Sequence, residues 1–285
     1  MEFERRYSAH TLVSYRTDLA QFQKFLSENF PKTKLEFAAY THIRPWLVSL
    51  IEKNISPRSV NRKTVSLRSF YKFLIKKGVI EKNPTLKIQV MKTKKQLPSF
   101  VQESDIAGLL DNHEFSNDFT GWRDKLILEM LYGTGIRLSE LMNLKTDWVN
   151  FYERTIKVLG KRNKERVIPF SKGLSAVIEN YIRYKKNQFG YNDNDFLLVT
   201  DKGEKCYPVM IYRVVNKYLS IFTTLDKRSP HVLRHTFATH LLNKGADLNA
   251  VKDLLGHTSL AATQVYTHNS MDKLKKVFEQ AHPKA

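Results

Sequence analysis

One cysteine, Cys206, among 285 residues excludes an intrachain disulfide framework and any cysteine-built zinc finger. No stretch comes near the roughly 18 consecutive apolar residues of a membrane span. The N-terminal MEFERRYSAH lacks the apolar centre of a secretory leader. A G-x-x-x-x-G-K-[ST] phosphate loop is missing, which argues against nucleotide hydrolysis. Internal repeats, low-complexity tracts and heptad arrays are missing too. These absences predict a soluble protein of the reducing cytoplasm, with no membrane partner.

Positive charge is what the chain has in excess. Lysine and arginine number 47 against 28 acidic residues, a net charge of +19 with a sequence pI near 9.8. Hydrophobic content of 42% and aromatic content of 12% are those of a folded globular protein. A charge excess of this size in a globular composition points to a polyanionic partner, nucleic acid first. The length favours two domains over one.

Apolar residues recur at helical spacing over residues 8–30, where Ser8 is a candidate N-cap, and over 41–54. A third helix is predicted from Ser56-Pro57 to a stop at Gly78. On its wheel Val60, Leu67, Phe70, Tyr71 and Leu74 share one side, and Arg58, Arg62, Arg68, Lys72 and Lys76 the other. No acidic residue interrupts the basic stripe, so pairing along the helix does not explain it. Lys92, Lys94 and Lys95 then precede Pro98, which places a domain boundary near residue 96. Residues 1–96 carry 20 basic and 7 acidic side chains, a net of +13 and most of the excess. We read this segment as a helical DNA clamp whose stripe contacts phosphates without reading sequence.

Residues 97–285 are mixed in character. Helices are expected at 102–112, 118–132, 138–144, 171–188 and 208–222, with a short strand at FLLVT (196–200). A β-hairpin is expected where TIKVL and RVIPF flank GKRNKE. The fold class is therefore mainly α with a small β-hairpin or sheet.

Several segments carry candidate chemistry. Arg137 follows a glycine-bounded turn in LYGTGIRLSEL. Lys161 stands in the hairpin turn, with Lys164 and Arg166 close behind, and a lysine there can donate a proton to a leaving oxygen. Pro230–His268 holds His231, Arg234 and His235 at i, i+3 and i+4, one face of a helix. His257 follows in a Leu-Gly-His turn, and Tyr266 comes nine residues later on an expected short helix. A zinc site at His231 and His235 is disfavoured, because no glutamate flanks the first histidine and Arg234 would repel the cation. His235 and His240 also suit core or capping roles. Each segment alone would be ordinary.

Together they resemble the tyrosine recombinase, or lambda-integrase-like, family, and most of all its Xer-type members. The matching pieces are GTGIRLSEL with Arg137, VLGKRNKERVIPF with Lys161, PHVLRHTFATHL with His231 and Arg234, LLGH with His257, and VYTH with Tyr266. SAHTLVSYRTDLAQFQKFL and SVNRKTVSLRSFYKFL resemble the core-binding domain of the family. The resemblance implies a SAM-like helical core-binding domain in residues 1–96. Residues 97–285 become a mixed α+β catalytic domain of the DNA breaking-rejoining type, closed by an exchange helix. It further implies that Tyr266 attacks a DNA phosphate to form a 3′-phosphotyrosyl link. Arg137 and Arg234 hold the non-bridging oxygens, His231 and His257 add hydrogen bonds, and Lys161 protonates the departing 5′-oxygen. Glu140 and His235 are supporting candidates. The resemblance also implies that no metal is required, because the arginines supply the charge, and no ATP, because the covalent link preserves the phosphodiester.

The implied partners are a double-stranded DNA recombination site, three further copies or paralogues in a tetramer, and a septal DNA translocase. The implied setting is chromosome dimer resolution before cell division. A mobile-element integrase or invertase with the same chemistry, and a non-catalytic DNA-binding protein on the same fold, stay open as alternatives. Family members commonly have glycine after the hairpin lysine; this chain has Arg162, which keeps Lys164 as a rival acid. Beyond Asn269, Met271, Leu274, Val277, Phe278 and Ala281 recur at helical spacing. That helix is expected either to pack on its own domain or, by the resemblance, to dock on a neighbouring protomer.

Overall fold

Two apolar clusters, one in each half of the sequence, organise the chain into compact units at Met1–Gln96 and Leu97–Ala285. The computed structural model describes residues 9–93, 99–160, 165–190, 195–256 and 268–284, the side chains of 9, 10 and 268–273 excepted.

In the first unit, helices α1 (Ala9–Asn29), α2 (Tyr40–Glu52) and α3 (Pro57–Lys76) enclose Phe22, Ile43, Trp46, Leu67 and Tyr71. The ends of α3 follow its sequence signals. Ser56 Oγ accepts the Ser59 amide at 3.3 Å, Pro57 occupies the first turn, and Gly78 turns the chain at φ 71°. The apolar stripe of α3 is buried as expected. Its basic stripe has an acidic partner after all, supplied by another helix. Asp18 of α1 is fully buried and takes Arg62 in two bonds of 2.5 and 2.9 Å, Lys63 at 3.0 Å and the Ser66 hydroxyl at 2.7 Å. Arg68 donates to the Ile88 carbonyl. Arg58, Lys72 and Lys76 are exposed along the helix.

The second unit is built around α5 (Phe119–Thr134), whose Leu126–Tyr132 segment is apolar or buried on every side. Before it come a short α4 (Glu103–Ala107) and a wider turn at Gly108–Asn112. Asp118 caps α5 by accepting the Gly121 amide at 2.7 Å. Around it pack α6 (Leu138–Met142), α7 (Lys172–Phe189), α8 (Pro208–Phe222), α9 (Pro230–Asn243) and α10 (Leu248–Leu255). The expected hairpin is present as β2 (Thr155–Leu159) and β3 (Glu165–Pro169), antiparallel with Lys157 opposite Val167. A two-residue strand not expected from the sequence, β1 (Val149–Asn150), widens it to three strands in the order β1-β2-β3.

FLLVT departs from expectation. Leu197, Leu198 and Val199 are buried, but among the described residues the segment makes isolated antiparallel bridges, Phe196 to Lys145 and Val199 to Lys205, and no continuous ladder. The Leu197 amide bonds the Leu144 carbonyl, the Val199 amide the Tyr181 hydroxyl, and the Thr200 amide the Glu204 carbonyl. Scattered partners satisfy the peptide groups, so burial alone produced a strand-like pattern. The last helix, α11 (His268–Ala281), buries Leu274, Phe278 and Ala281 in its own unit. Beyond it, the His282 ring stacks on Phe278 at 4.8 Å, and Lys284 pairs with Glu129 at 2.7 Å and Asp111 at 2.9 Å.

Candidate active site

The turn between α5 and α6 fixes the first arginine. Thr134 Oγ1 donates to the Met130 carbonyl at 2.6 Å and accepts the Ile136 amide at 3.2 Å. Gly135 then turns left-handed at φ 59°. A Cβ there would lie 2.5 Å from the Phe237 ring, so only glycine allows the turn to close against the core. Two residues later Arg137 stands at the N-cap of α6. Glu140, three residues on, accepts its amide at 2.8 Å and its guanidinium at 2.8 Å.

Glu140 is 4% exposed and serves a second cation. Arg166 of β3, 5% exposed, forks onto both carboxylate oxygens at 2.6 and 2.8 Å. Burial would raise the pKa of Glu140. The hydrogen bonds and charges of Arg166 and Arg137 outweigh it and hold the carboxyl below its usual range.

Arg234 projects from the middle of α9. One Nη donates to the Gly135 carbonyl and the other to the Leu255 carbonyl at 2.6 Å. Burial, then the neighbouring charges of Arg137 and Arg166, push its pKa down to about 9, with Glu140 opposing. His231 lies one turn before Arg234 near the start of α9 and is exposed, while His235 is half-buried. His240 is a core histidine, its ring nitrogens 3.0 Å from the Tyr132 hydroxyl and from the Val101 carbonyl.

All three guanidiniums meet the end of α10. Arg166 Nε donates to the Leu254 carbonyl at 3.2 Å, Arg234 to Leu255, and Arg137 to Gly256 at 2.7 Å. A helix leaves its last carbonyls unpaired and slightly negative, which suits guanidinium donors. The helix is started by Asp247, whose Oδ1 accepts the Asn249 and Ala250 amides, and is ended by Gly256 at φ 64°.

The cluster holds three cations and one carboxylate, an excess of positive charge. A guanidinium has five N–H donors, and the bonds above use two each on Arg137 and Arg234. Planar donors left over among the described residues, beside surplus positive charge, form a receptor for an oxyanion such as phosphate. Among the described residues no group of three His, Cys, Asp or Glu side chains is placed to hold a metal ion.

Of the residues expected from the sequence, the structure brings Arg137 and Arg234 together with Glu140, and sets His231 one turn from Arg234. Lys161, Lys164, His257 and Tyr266 lie outside the described residues. The part played by Arg166 was missed. Its signal was its register: it takes an inward position on β3 in alternation with buried Ile168, where an apolar residue would be usual.

Comparison with known proteins places the chain in a family. The model of the phage integrase family matches residues 84–273, and that of the phage integrase N-terminal SAM-like domain matches residues 1–78. The tyrosine recombinase XerC of Oceanobacillus iheyensis is 39% identical over 289 residues, covering all of this chain and 94% of the relative. Tyrosine recombinase XerC of Staphylococcus aureus is 40% identical over 285 residues, covering all of this chain and 94% of its own length. The post-cleavage complex of the XerH site-specific recombinase with palindromic difH substrate aligns with a TM-score of 0.72, covering 95% of this chain and 80% of that one. At 22% identity that likeness speaks for the fold alone. Sequence relatives along its full length and a matching family model over most of it show that the chain belongs to the phage integrase family: it is a site-specific tyrosine recombinase, an enzyme that cleaves and rejoins DNA through a tyrosine.

Proposed function

We propose that this recombinase uses Tyr266 as its nucleophile and acts in the cytoplasm in chromosome dimer resolution. The phenolic oxygen attacks the scissile phosphorus, a 3′-phosphotyrosyl bond forms, and the 5′-oxygen leaves with a proton. Rejoining is the reverse, with a new 5′-hydroxyl displacing the tyrosine. Arg137 and Arg234 stabilise the charge on the non-bridging oxygens, the role in which loss of one donor typically costs about 100- to 1000-fold in rate. His231 and His257 donate further hydrogen bonds, and Lys161 protonates the leaving oxygen. The observation that carries this reading is the surplus of guanidinium donors gathered around one carboxylate on the end of α10.

In this reading residues 1–96 clamp duplex DNA through the exposed Arg58, Lys72 and Lys76, while Arg62 and Arg68 of the same stripe brace the helix on Asp18 and the Ile88 carbonyl, and residues 97–285 perform the chemistry. Four subunits assemble on the recombination site, as identical copies or with a paralogue, and exchange one pair of strands after the other. A septal DNA translocase fits this setting as a regulator. The docked position of α11 on its own domain then belongs to the unassembled chain.

The test begins with mapping where the protein binds on the chromosome, then uses a nicked suicide duplex carrying that site. A covalent protein–DNA adduct should form in EDTA, and Tyr266→Phe should abolish it while DNA binding persists. Survival of the adduct in Tyr266→Phe would mean that another residue is the nucleophile.

A further inference from the structure

We infer that Arg166 is a positioning residue of the recombination site, which leaves the charge of Arg137 uncompensated and aimed at the phosphate by sharing Glu140 with it. The inference rests on the reading that Arg137 and Arg234 hold the scissile phosphate.

Arg166 cannot itself reach DNA. It is 5% exposed, and Nε, Nη1 and Nη2 are all engaged, with Leu254 and both oxygens of Glu140. Its surroundings are tight: a Cβ on Gly256 would lie 3.0 Å from its Cδ, 3.1 Å from Nε and 3.2 Å from Cζ. The side chain thus spans from β3 to two site elements, the carboxylate of α6 and the terminal carbonyls of α10.

Two consequences follow from that placement. The first is geometric. Three successive carbonyls at one helix end each hold a different guanidinium, so Arg166, Arg234 and Arg137 share one rigid support. The second is electrostatic. Glu140 lies 2.8 Å from Arg137 and would by itself cancel much of that cation's charge. With Arg166 forked onto the same two oxygens, the carboxylate is already compensated, and the charge of Arg137 remains available to a phosphate.

The electrostatic part gives a signature that a purely structural arginine would lack. Removing Arg166 while Glu140 stays should over-neutralise Arg137, so removing the carboxylate as well should restore activity. A scissile methylphosphonate, which carries no formal charge, should also need less help from Arg137.

The experiment measures single-turnover cleavage of a nicked duplex bearing the mapped site, with either a phosphodiester or a methylphosphonate at the scissile position. Arg166→Met should lose about 10- to 100-fold in rate on the phosphodiester, by analogy with the loss when the hydrogen-bonded partner of a metal ligand is removed. DNA binding should be unchanged, and the loss should shrink on the methylphosphonate. Arg166→Met combined with Glu140→Gln should cleave faster than Arg166→Met alone. Arg166→Lys, which keeps a cation but loses the fork, covers the case in which the methionine variant does not fold. Equal losses on both substrates, or a double variant slower than the single one, would overturn the inference. Arg137→Ala on the same two substrates separates the failures. If its loss is also equal on both, the phosphate-holding reading falls; if only the Arg166 variants fail to discriminate, the positioning role alone falls.

Discussion

Replacing Gly135 with alanine tests the packing that carries the site. The residue sits at φ 59°, and an added Cβ would lie 2.5 and 2.8 Å from two carbons of the Phe237 ring and 3.1 Å from Leu255 Cδ2. Phe237 is fully buried, so the ring cannot move without displacing core neighbours. A left-handed conformation costs an L-residue about 1–2 kcal/mol. Overpacking a filled core adds about 1–3 kcal/mol. The expected destabilisation of Gly135→Ala is therefore about 2–5 kcal/mol, and a domain of this size should lose roughly 4–20 °C in Tm.

Gly133→Ala is the matched control. It lies in the last turn of α5, and its added Cβ would meet only Leu174 Cδ2 at an ordinary 3.5 Å. That variant should melt at or slightly above the parent, because alanine favours a helix over glycine by up to about 1 kcal/mol. Thermal unfolding followed by circular dichroism compares the two. Well below its melting temperature, Gly135→Ala should still cleave more slowly than the parent, since the Gly135 carbonyl holds Arg234 and Arg137 lies two residues on. Equal melting temperatures for the two variants would refute the assignment of Gly135 as a closure point.

The other predictions concern the N-terminal unit and the tail. Arg62→Ala should lower the stability of the unit by about 1–2 kcal/mol in urea, a value reduced because Arg62 is half exposed while Asp18 keeps Lys63 and Ser66. Arg58→Ala and Lys72→Ala should leave the urea midpoint unchanged and each reduce the salt dependence of DNA binding by about one unit of slope. Loss of stability in those two, or an unchanged slope, would mean that they are not phosphate contacts. His282 tests the tail. Burial is the largest influence on it and pushes its pKa down to about 3, so the folded ring stays neutral while an undocked one protonates near 6.5. Docking is therefore complete above the undocked value and weakens as the pH falls below it, by roughly 1 kcal/mol one pH unit below that value. Hydrogen exchange in α11 should be faster at pH 5.5 than at 7.5, after correction for intrinsic rates, and His282→Phe should remove the difference. An unaltered pH response in that variant would exclude His282 as its source.

The reach of the sequence is clearest where a local rule sufficed. Pro57 and Gly78 bound α3, the alternation of TIKVL and RVIPF gives the hairpin, and the ordered motifs around Arg137, His231 and Arg234 identify the chemistry. It is weakest where a pattern has two physical causes. FLLVT is apolar because it is buried, and burial does not require a ladder. The basic stripe of α3 looked free of acid because the partner, Asp18, lies more than 40 residues away on α1.

By itself, then, the sequence determined the helical class and the family, and it singled out Arg137 and Arg234 as candidates for the site, since periodicity, capping and motif order are local properties of the chain. Only the tertiary structure decided that Arg166 joins Arg137 on Glu140, that α11 packs on its own domain, and that three guanidiniums rest on the last carbonyls of α10. The physical reason is that a backbone carbonyl is the same acceptor under every side chain. Leu254, Leu255 and Gly256 give no sign in the sequence of the arginines they hold; their place at a helix end, reached from β3, α9 and α6 at once, is what makes them a support for the site.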